Sequence, residues 1–246
     1  MNYTMPAPAD DNAIIDRTGQ PGIMGDVRLG RRLYDNPLAG PGDVDGWRLE
    51  GQAAITFPQG RLRLESVVPV SEGQRANYVF WCPEDFPDNV AISWDFFPVR
   101  EPGLAMFWFA ATGRNGEDLF DAHLAPRAGQ YNQYHHGDID AFHASYFRRG
   151  KPGAFALCNL RKSYGFHMVA QGADPIPSFV YDPPYRIQVV KRGREVQFSI
   201  NGLVIYYFID DGRTWGRSLG GGKIGFRQMA PLIGEYARLT VQDLLP

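Results

Sequence analysis

Side chains that can carry chemistry are concentrated between Gly129 and Gly150. This stretch reads GQYNQYHHGDIDAFHASYFRRG and holds three of the five histidines of the chain, among tyrosines, acids and arginines. Imidazole, carboxyl and phenol groups can transfer protons, which makes them common general acids and bases in enzymes. The sequence therefore predicts catalytic residues within this stretch, and the candidates are Tyr134, His135, His136, Asp138 and His143.

This stretch and the segment that follows it also contain groups that bind sugars. Aromatic faces contact the apolar side of a sugar ring, and amide and guanidinium groups bind its hydroxyls and carboxylates. The alternative is a structural role, in which these side chains brace loops or pair with charges of the fold. The candidates for substrate binding are Tyr131, Gln133, Tyr146, Arg148, Asn159, Arg161, Lys162 and His167.

Cleavage of a uronic acid glycoside by β-elimination requires side chains of these kinds. A cationic or amide group must neutralise the sugar carboxylate, a His or Tyr must remove the C5 proton, and a Tyr or His must protonate the leaving oxygen. We expect Tyr134 and one of His135 and His136 to move the protons. We expect Arg148, Asn159 and Arg161 to orient the substrate.

Glycoside hydrolysis is the alternative reaction, and it normally uses two carboxyl groups that flank the scissile bond. The paired-acid motif E-x-D-x-x-E of sandwich glucanases is absent from the sequence. The residues therefore favour elimination over hydrolysis. The carboxylates that could serve a hydrolase are Asp95, Glu117, Asp118, Asp138 and Asp140.

A metal site is a further interpretation of the same stretch, since His and carboxylate groups at close spacing bind transition metals. The spacing matches no helical H-E-x-x-H arrangement, and sandwich loops bind calcium mostly through oxygen atoms. We expect no cofactor and no catalytic metal, while a structural calcium ion stays open. The residues concerned are His135, His136, Asp138, Asp140 and His143.

The elements that position these residues are predicted to be strands. Apolar and polar residues alternate in GWRLEGQAAITFPQGRLRLES, and GLAMFWFAAT is nearly all apolar. Asn201–Gly202 separates two such segments and predicts a tight hairpin, because both central residues need positive φ. A strand through AGQYNQYHH would place alternate residues on opposite faces. One face would carry Tyr131, Gln133 and His135, and the other Asn132, Tyr134 and His136.

Composition narrows the partners and the location. The 246 residues carry a net charge of −2 with mixed signs, which gives no field that would favour nucleic acid or an anionic membrane. No apolar run is long enough to span a membrane and no secretion signal begins the sequence, so we expect a cytoplasmic protein. Cys82 and Cys158 form no C-x-x-C pair and are expected to be buried free thiols.

The sequence predicts one all-β domain of ten or more strands with almost no helix. Residues 1–46 are expected to form an irregular lead-in packed on the domain, with a possible strand near Arg31–Tyr34. Residues 47–246 are expected to form a β-sandwich of two antiparallel sheets. Gly and Pro number 28 and 19, and aromatic residues make up 13% of the chain, which suits short strands joined by turns.

Several segments, taken in order, resemble the concanavalin A-like jelly rolls of lectins and glucanases. They are W-x-L-E-G with G-R-L-R-L-E-S, then Y-R-I-Q-V-V-K-x-G-x-x-V-x-F-S-I-N-G, and finally G-G-x-I-G-F-R. The middle segment, Y-H-H-G-D-I-D-A-F-H-x-S-Y-F-R-R with N-L-R-K-S-Y-G-F-H, is similar to a bacterial family of uncharacterised sandwich proteins. AGQYNQY also resembles the tyrosine-bearing A-G-x-Y-x-Q strand of sandwich alginate lyases.

The resemblance implies a jelly-roll fold and an oligosaccharide or polysaccharide fragment as partner, and it assigns no catalytic residue. A carbohydrate-active lyase or hydrolase is the first hypothesis. A lectin-like protein that binds sugar without catalysis is the second, and a structural sandwich within a larger assembly is the third. A homo-oligomer is compatible with all three.

Overall fold

Two antiparallel sheets packed face to face make up the computed structural model, which describes residues 23–150 and 156–246. This architecture confirms the predicted all-β jelly-roll sandwich. The strands are β1 (Leu29–Asn36), β2 (Arg48–Glu50), β3 (Ala53–Thr56), β4 (Leu62–Ser66), β5 (Tyr78–Trp81), β6 (Val90–Arg100), β7 (Gly103–Gly113), β8 (Ile139–Arg149), β9 (Leu157–Ser163), β10 (His167–Ala173), β11 (Tyr185–Arg192), β12 (Glu195–Ile200), β13 (Leu203–Ile209), β14 (Lys223–Met229) and β15 (Ile233–Leu244). Within residues 23–150 and 156–246 the helical segments are α1 (Asn132–His135) and the 3-10 turns Pro41–Val44, Pro58–Gly60 and Val70–Ala76.

The seven-stranded sheet carries the residues of interest, and its strand order is β10-β9-β8-β7-β14-β5-β2. The eight-stranded sheet has the order β13-β12-β11-β6-β15-β4-β3, with β1 also paired to β15. The predicted strand near Arg31–Tyr34 lies within β1, so this sheet includes residues that precede Trp47. Residues 1–22 of the lead-in lie outside the described residues.

The hairpin predicted from Asn201–Gly202 is confirmed. It joins β12 to β13, and its two residues have φ values of 50° and 79°. Both angles lie in the left-handed region, which Asn and Gly tolerate better than other residues. The two thiols are also as predicted, since Cys82 and Cys158 are buried and free.

Aromatic side chains from both sheets meet in the core. Trp94 of β6 stacks on Phe107 of β7 with ring centroids 4.1 Å apart. The indole Nε1 of Trp94 donates a hydrogen bond of 3.0 Å to the hydroxyl of Tyr146 on β8. This buried bond joins the two sheets at their centre.

A second apolar layer covers the outer face of the seven-stranded sheet. Trp108 is adjacent to Phe107 in β7 and so faces outward, where it packs with Trp81, Leu119 and Tyr134. Leu119 and Tyr134 belong to the connection between β7 and β8, residues 114–138, which lies across this face. The connection therefore has its own core, which the strand pattern did not predict.

The edge strands of the two sheets, β10 and β13, approach each other on one side of the sandwich. A side chain at Gly172 of β10 would overlap the carbonyl oxygen of Ile205 on β13. The close approach therefore requires glycine at this position. No helix among residues 23–150 and 156–246 is long and apolar enough to cross a membrane.

Tyr146→Phe should lower the free energy of unfolding by about 1–3 kcal/mol, because it leaves the buried Trp94 Nε1 donor without its partner. Urea unfolding measures the difference. Tyr164→Phe is the matched control, since the Tyr164 ring is 40% exposed and its hydroxyl makes no hydrogen bond with described residues. Equal losses of stability in the two variants would contradict a specific role for the bond between the sheets.

Candidate active site

The carboxylate of Glu50 on β2 fixes the connection between β7 and β8 to the sheet. It accepts hydrogen bonds from Trp81 Nε1 at 2.9 Å, from Arg127 Nη2 at 2.7 Å and from the Tyr134 hydroxyl at 2.8 Å. Arg127 also donates to the Leu119 carbonyl oxygen at 2.9 Å. One carboxylate thus ties the sheet to two distant points of the connection.

The segment AGQYNQYHH forms a helical turn, and the prediction of a strand there is wrong. Gln133 Oε1 accepts hydrogen bonds from the Ala128 and Gln130 amides, which closes the chain into a turn before α1. Gly129 has a φ of 85°, and a Cβ there would overlap the Asn77 carbonyl oxygen. Tyr131 and His135 consequently lie on one face of the turn, with ring centroids 4.9 Å apart.

Tyr131 and His143 form the central pair of the candidate site. The Tyr131 hydroxyl lies 2.5 Å from His143 Nε2. His143 stands on the outer face of β8, in register with Trp108 of β7 and Arg161 of β9, and its ring centroid is 4.2 Å from that of Trp108. His143 is only 1% exposed and Tyr131 is half-buried, so the tyrosine is the member of the pair that reaches the surface.

Burial determines the protonation of this pair. It raises the pKa of Tyr131 to about 12, partly offset by the positive charges of Arg227, Arg161 and Arg148. Burial also holds the pKa of His143 well below its usual value, with Arg161 and Arg227 adding to the effect. The phenol is therefore protonated and the imidazole neutral at neutral pH, so the phenol donates to Nε2.

His135 is the second neutral imidazole on this face. Burial lowers its pKa to about 4, with the neighbouring His136 as the next cause. Its ring packs against Phe166, with centroids 4.6 Å apart, and its Nδ1 contacts Nδ1 of His136. His136 itself is exposed and has its ring beside Tyr164, away from the Tyr131–His143 pair.

Arg227 of β14 lies beneath the site with no ion pair among the described residues. Its side chain is fully buried, and Nη1 donates to the Gly129 carbonyl oxygen at 2.8 Å. The guanidinium carbon lies 4.9 Å from the ring centroid of Tyr131 and 5.3 Å from that of Tyr134. Its Nε and Nη2 atoms, like Trp108 Nε1 and His143 Nδ1, have no hydrogen-bond partner in the described structure. Buried N–H groups without hydrogen-bond partners in the described structure are therefore concentrated below Tyr131.

A row of matching positions, polar except for Met106, runs from Arg227 across the outer face. Arg227, Met106, Ser145, Asn159 and Gln171 occupy matching positions on β14, β7, β8, β9 and β10. Gln171 Nε2 donates to Asn159 Oδ1 at 2.7 Å. Neighbouring positions include exposed Arg148 and half-buried Arg161, so cationic and amide groups lie beside the Tyr131 phenol.

Arg161 is held in place by an aromatic neighbour. Its guanidinium carbon lies 3.8 Å from the ring centroid of Phe166, and Nη1 donates to the Phe166 carbonyl oxygen at 3.0 Å. The Phe166 ring is 43% exposed and contacts the ring of Tyr131, with centroids 5.3 Å apart. An exposed ring, a guanidinium and a phenol thus form one continuous surface.

Several predicted site residues do not lie at this surface. Tyr146 faces the interior between the sheets, and Tyr134 is fully buried with its hydroxyl bonded to Glu50, so neither can touch a substrate. Lys162 is buried in an ion pair with Asp210 at 2.7 Å, and Gln133 closes the turn before α1. Asp138, Lys162 and His167 line a different cavity, at one end of the sandwich.

Of the carboxylates considered for hydrolysis, Glu117, Asp138 and Asp140 line the cavity at one end of the sandwich, away from Tyr131. Asp95 lies on β6 of the other sheet and pairs with Arg186 and Arg238. Asp140 pairs with Arg217 at 2.9 Å. In residues 23–150 and 156–246 no group of three or more His, Cys, Asp and Glu side chains is arranged to hold a metal ion. The possible calcium ion stays a prediction.

Sequence reasoning missed Glu50, Trp108 and Arg227. Arg227 was visible as a cation that follows the apolar residues of the strand K-I-G-F-R-Q-M, and such a cation needs a nearby partner or aromatic faces. Glu50 was visible as the last residue of the short strand R-L-E. Neither signal says which distant loop the side chain meets.

Comparison with known proteins identifies close relatives. A family model described as a domain of unknown function (DUF1961) matches residues 31–241. The uncharacterized protein YesU of Bacillus subtilis (strain 168) is 51% identical over 217 residues, which cover 87% of this chain and 96% of YesU. A crystal structure of a Bacillus subtilis protein of unknown function with a galectin-like fold matches with a TM-score of 0.85 at 50% identity, covering 89% of this chain and 99% of the other. These matches confirm the predicted family resemblance.

More distant structures share the fold alone. The κ-carrageenase of Pseudoalteromonas carrageenovora, solved with an oligotetrasaccharide of κ-carrageenan, has a TM-score of 0.55 at 8% identity, over 91% of this chain and 98% of the enzyme. The fold also resembles lectin domains and a carbohydrate binding module. Proteins with this architecture thus include both carbohydrate-binding and carbohydrate-cleaving members.

Glu50→Ala should lower the free energy of unfolding by about 3–5 kcal/mol, because it leaves Arg127 buried without its ion-pair partner. Urea unfolding measures the loss. Glu72→Ala is the control, since Glu72 forms an exposed pair with Arg75 and should cost less than about 1 kcal/mol. Similar losses in both variants would contradict the anchoring role of Glu50.

Acid should destabilise the protein through its neutral histidines. Unfolded histidines bind protons as the pH falls through about 6.5, whereas folded His135 does so only near 4. The unfolded state therefore binds more protons in this window, and the free energy of unfolding should fall as the pH is lowered through it. Urea unfolding across the window should show a smaller fall in His135→Gln than in the wild type. Superimposable pH profiles would contradict the neutral state of folded His135.

Proposed function

This chain belongs to the DUF1961 family, and we propose that it binds an acidic oligosaccharide on the outer face of the seven-stranded sheet and cleaves it by β-elimination. The observation that carries the proposal is the 2.5 Å contact between the Tyr131 hydroxyl and His143 Nε2. The positive charges of Arg148, Arg161 and Arg227 are close enough to lower the pKa of this phenol. A proton-transfer group beside cationic groups is the arrangement that this reaction requires.

The substrate carboxylate would be bound by guanidinium and amide groups. Arg148 is exposed and Arg161 half-buried, so both are accessible to a ligand. Exposed Gln171 of β10 supplies an amide, and the buried Asn159 of β9 holds it through the hydrogen bond of 2.7 Å. The exposed ring of Phe166 offers a flat apolar surface for a sugar ring. Cations and amides stabilise the negative charge that develops on the carboxylate when C5 loses its proton.

Tyr131 would touch the reacting atoms, and His143 would hold its proton during the reaction. Tyr131 passes its hydroxyl proton to His143 Nε2 as its oxygen takes the C5 proton of the uronate. The C5–H and C4–O bonds break and a C4–C5 double bond forms. Tyr131 then gives the C5 proton to the leaving oxygen, and His143 returns the stored proton to Tyr131, so no proton is gained or lost.

The fold supports a carbohydrate ligand, since the architecture is shared with lectins, a carbohydrate binding module and a carrageenase. Elimination is proposed over hydrolysis because the Tyr131–His143 pair has arginines nearby, whereas Glu117, Asp138 and Asp140 line the separate cavity at one end of the sandwich. Asp95 and Asp140, two of the carboxylates considered for hydrolysis, are paired with arginines away from Tyr131.

Binding without cleavage is the second candidate function, and the pKa of Tyr131 favours it. A phenol with a pKa raised to about 12, next to an imidazole with a lowered pKa, passes its proton on with difficulty. A protein that used these groups only as hydrogen-bond donors and acceptors would need no such transfer. Turnover and binding must therefore be measured separately.

Tyr131→Phe and His143→Gln should each lower the rate of elimination by about 10²–10⁴-fold, because each removes one member of the proton-transfer pair. The rate is followed by the absorbance of the unsaturated product from oligogalacturonides and other uronate oligosaccharides. His136→Gln is the matched control, since His136 is an exposed histidine outside the pair, and it should retain wild-type turnover.

Calorimetry with the same oligosaccharides separates the two functions. Binding that persists in Tyr131→Phe while turnover is lost supports the lyase, and binding by the wild type with no product supports the second candidate. Wild-type turnover in both Tyr131→Phe and His143→Gln would show that this pair does not carry the reaction. Absence of both binding and product would remove acidic oligosaccharides as ligands.

A further inference from the structure

A large cavity at one end of the sandwich lies apart from the Tyr131–His143 pair. Its volume is about 790 Å³, enough for a sugar unit. Four parts of the chain form its wall: the start of the connection between β7 and β8, the end of that connection with the start of β8, the end of β9 with the turn to β10, and the connection between β13 and β14. Side chains that the proposed reaction does not use are thus assembled around one space.

Half of the charged side chains in this wall are already paired: Asp140, Lys162 and Arg217 form ion pairs, whereas Arg114, Glu117 and Asp138 form none with the described residues. Asp140 forms an ion pair with Arg217 at 2.9 Å and accepts a hydrogen bond from the Tyr164 amide. Lys162 pairs with Asp210. These contacts stabilise the wall, and they leave those groups with little capacity for a ligand.

Arg114 and Asp138 retain polar atoms that can bind a ligand. The guanidinium carbon of Arg114 lies 3.9 Å from the ring centroid of Tyr164, and this side chain has no ion pair with any residue in the described ranges. Asp138 accepts one hydrogen bond, from the Ala125 amide to Oδ2 at 2.9 Å, which leaves Oδ1 available. The aromatic face fixes the Arg114 guanidinium without neutralising it.

Trp215 adds an apolar surface to the same cavity. Its ring is half-buried and packs on Phe208, with centroids 5.8 Å apart. A sugar ring places its apolar face on an aromatic ring and its hydroxyls on polar groups. A guanidinium that carries no counter-charge selects a ligand with a carboxylate.

We propose that this cavity binds a single acidic sugar unit, with its carboxylate on Arg114, a hydroxyl on Asp138 and its ring against Trp215. The site is separate from the Tyr131 surface, because the turn between β9 and β10 lies between them. In that turn Tyr164 lines the cavity, whereas Phe166 contacts Tyr131. The Gly165 amide donates to the His135 carbonyl oxygen at 2.7 Å and fixes the turn against α1. Binding in the cavity requires no turnover at Tyr131.

Titration of the full chain with D-galacturonic acid tests the proposal, with D-galactose as the neutral counterpart. Trp215 is a reporter because it lines the cavity, whereas Trp81, Trp94 and Trp108 are fully buried and half-buried Trp47 packs on Phe80 and Phe226 away from it. Galacturonate should change the tryptophan fluorescence and bind at least about tenfold more tightly than galactose, because only the acid makes a charge-assisted contact. Trp215→Phe should abolish the fluorescence change, and calorimetry reports binding independently of it.

Arg114→Gln should weaken galacturonate binding by about tenfold or more. Arg213→Gln is the matched control, an exposed arginine of the connection between β13 and β14 that does not line the cavity, and it should bind as the wild type does. Arg161→Gln should retain binding, because Arg161 belongs to the Tyr131 surface and does not line the cavity, and this separates the proposal from the proposed lyase function. Absence of galacturonate binding, equal affinity for the neutral sugar, or unchanged affinity in Arg114→Gln would each overturn the proposal.

Discussion

The Glu50 carboxylate is the contact on which the candidate site depends. It lies on the edge strand β2 of the seven-stranded sheet, and it bonds Arg127 and Tyr134 of the connection that covers part of the outer face. A loop of this length has a large conformational entropy, and a buried carboxylate with several donors is an effective way to offset it. The turn that carries Tyr131 begins next to this contact, so the position of the phenol follows from the anchor.

Burial determines which groups of the site are neutral and which are charged. The same apolar layer that holds the connection on the sheet excludes water from His143 and Arg227 and partly covers Tyr131. Low polarity keeps the imidazole and the phenol neutral while the arginines retain their charge. The surface therefore presents positive charge beside neutral proton carriers, which suits an anionic ligand better than a cationic one.

The regular part of this structure was predictable, and the irregular part was not. Alternation and the Asn201–Gly202 turn predict strands and a hairpin because they depend on neighbours in sequence. The turn at Tyr131 was predicted as a strand because its residues alternate as they do in a strand. The turn forms because Gln133 accepts hydrogen bonds from the local amides and Gly129 packs against Asn77. Tyr146 was a candidate for substrate binding because tyrosine is a common residue of sugar sites. Its position in the alternation of β8 instead directs the side chain to Trp94 in the core. His143 was among the candidates, but the proton transfers were expected of Tyr134 with His135 or His136. Contacts such as Glu50 with Arg127 join residues far apart in sequence, which no local pattern records.

The missing side chain at Gly172 also bears on how the molecule behaves in solution. Outermost strands expose unpaired amides and carbonyls, to which another polypeptide can add as an extra strand at a spacing of about 4.8 Å. Here β10 and β13 come so close at Gly172 that its backbone contacts Ile205. An incoming polypeptide has no room to align there, so this glycine protects the sandwich against self-association along that side.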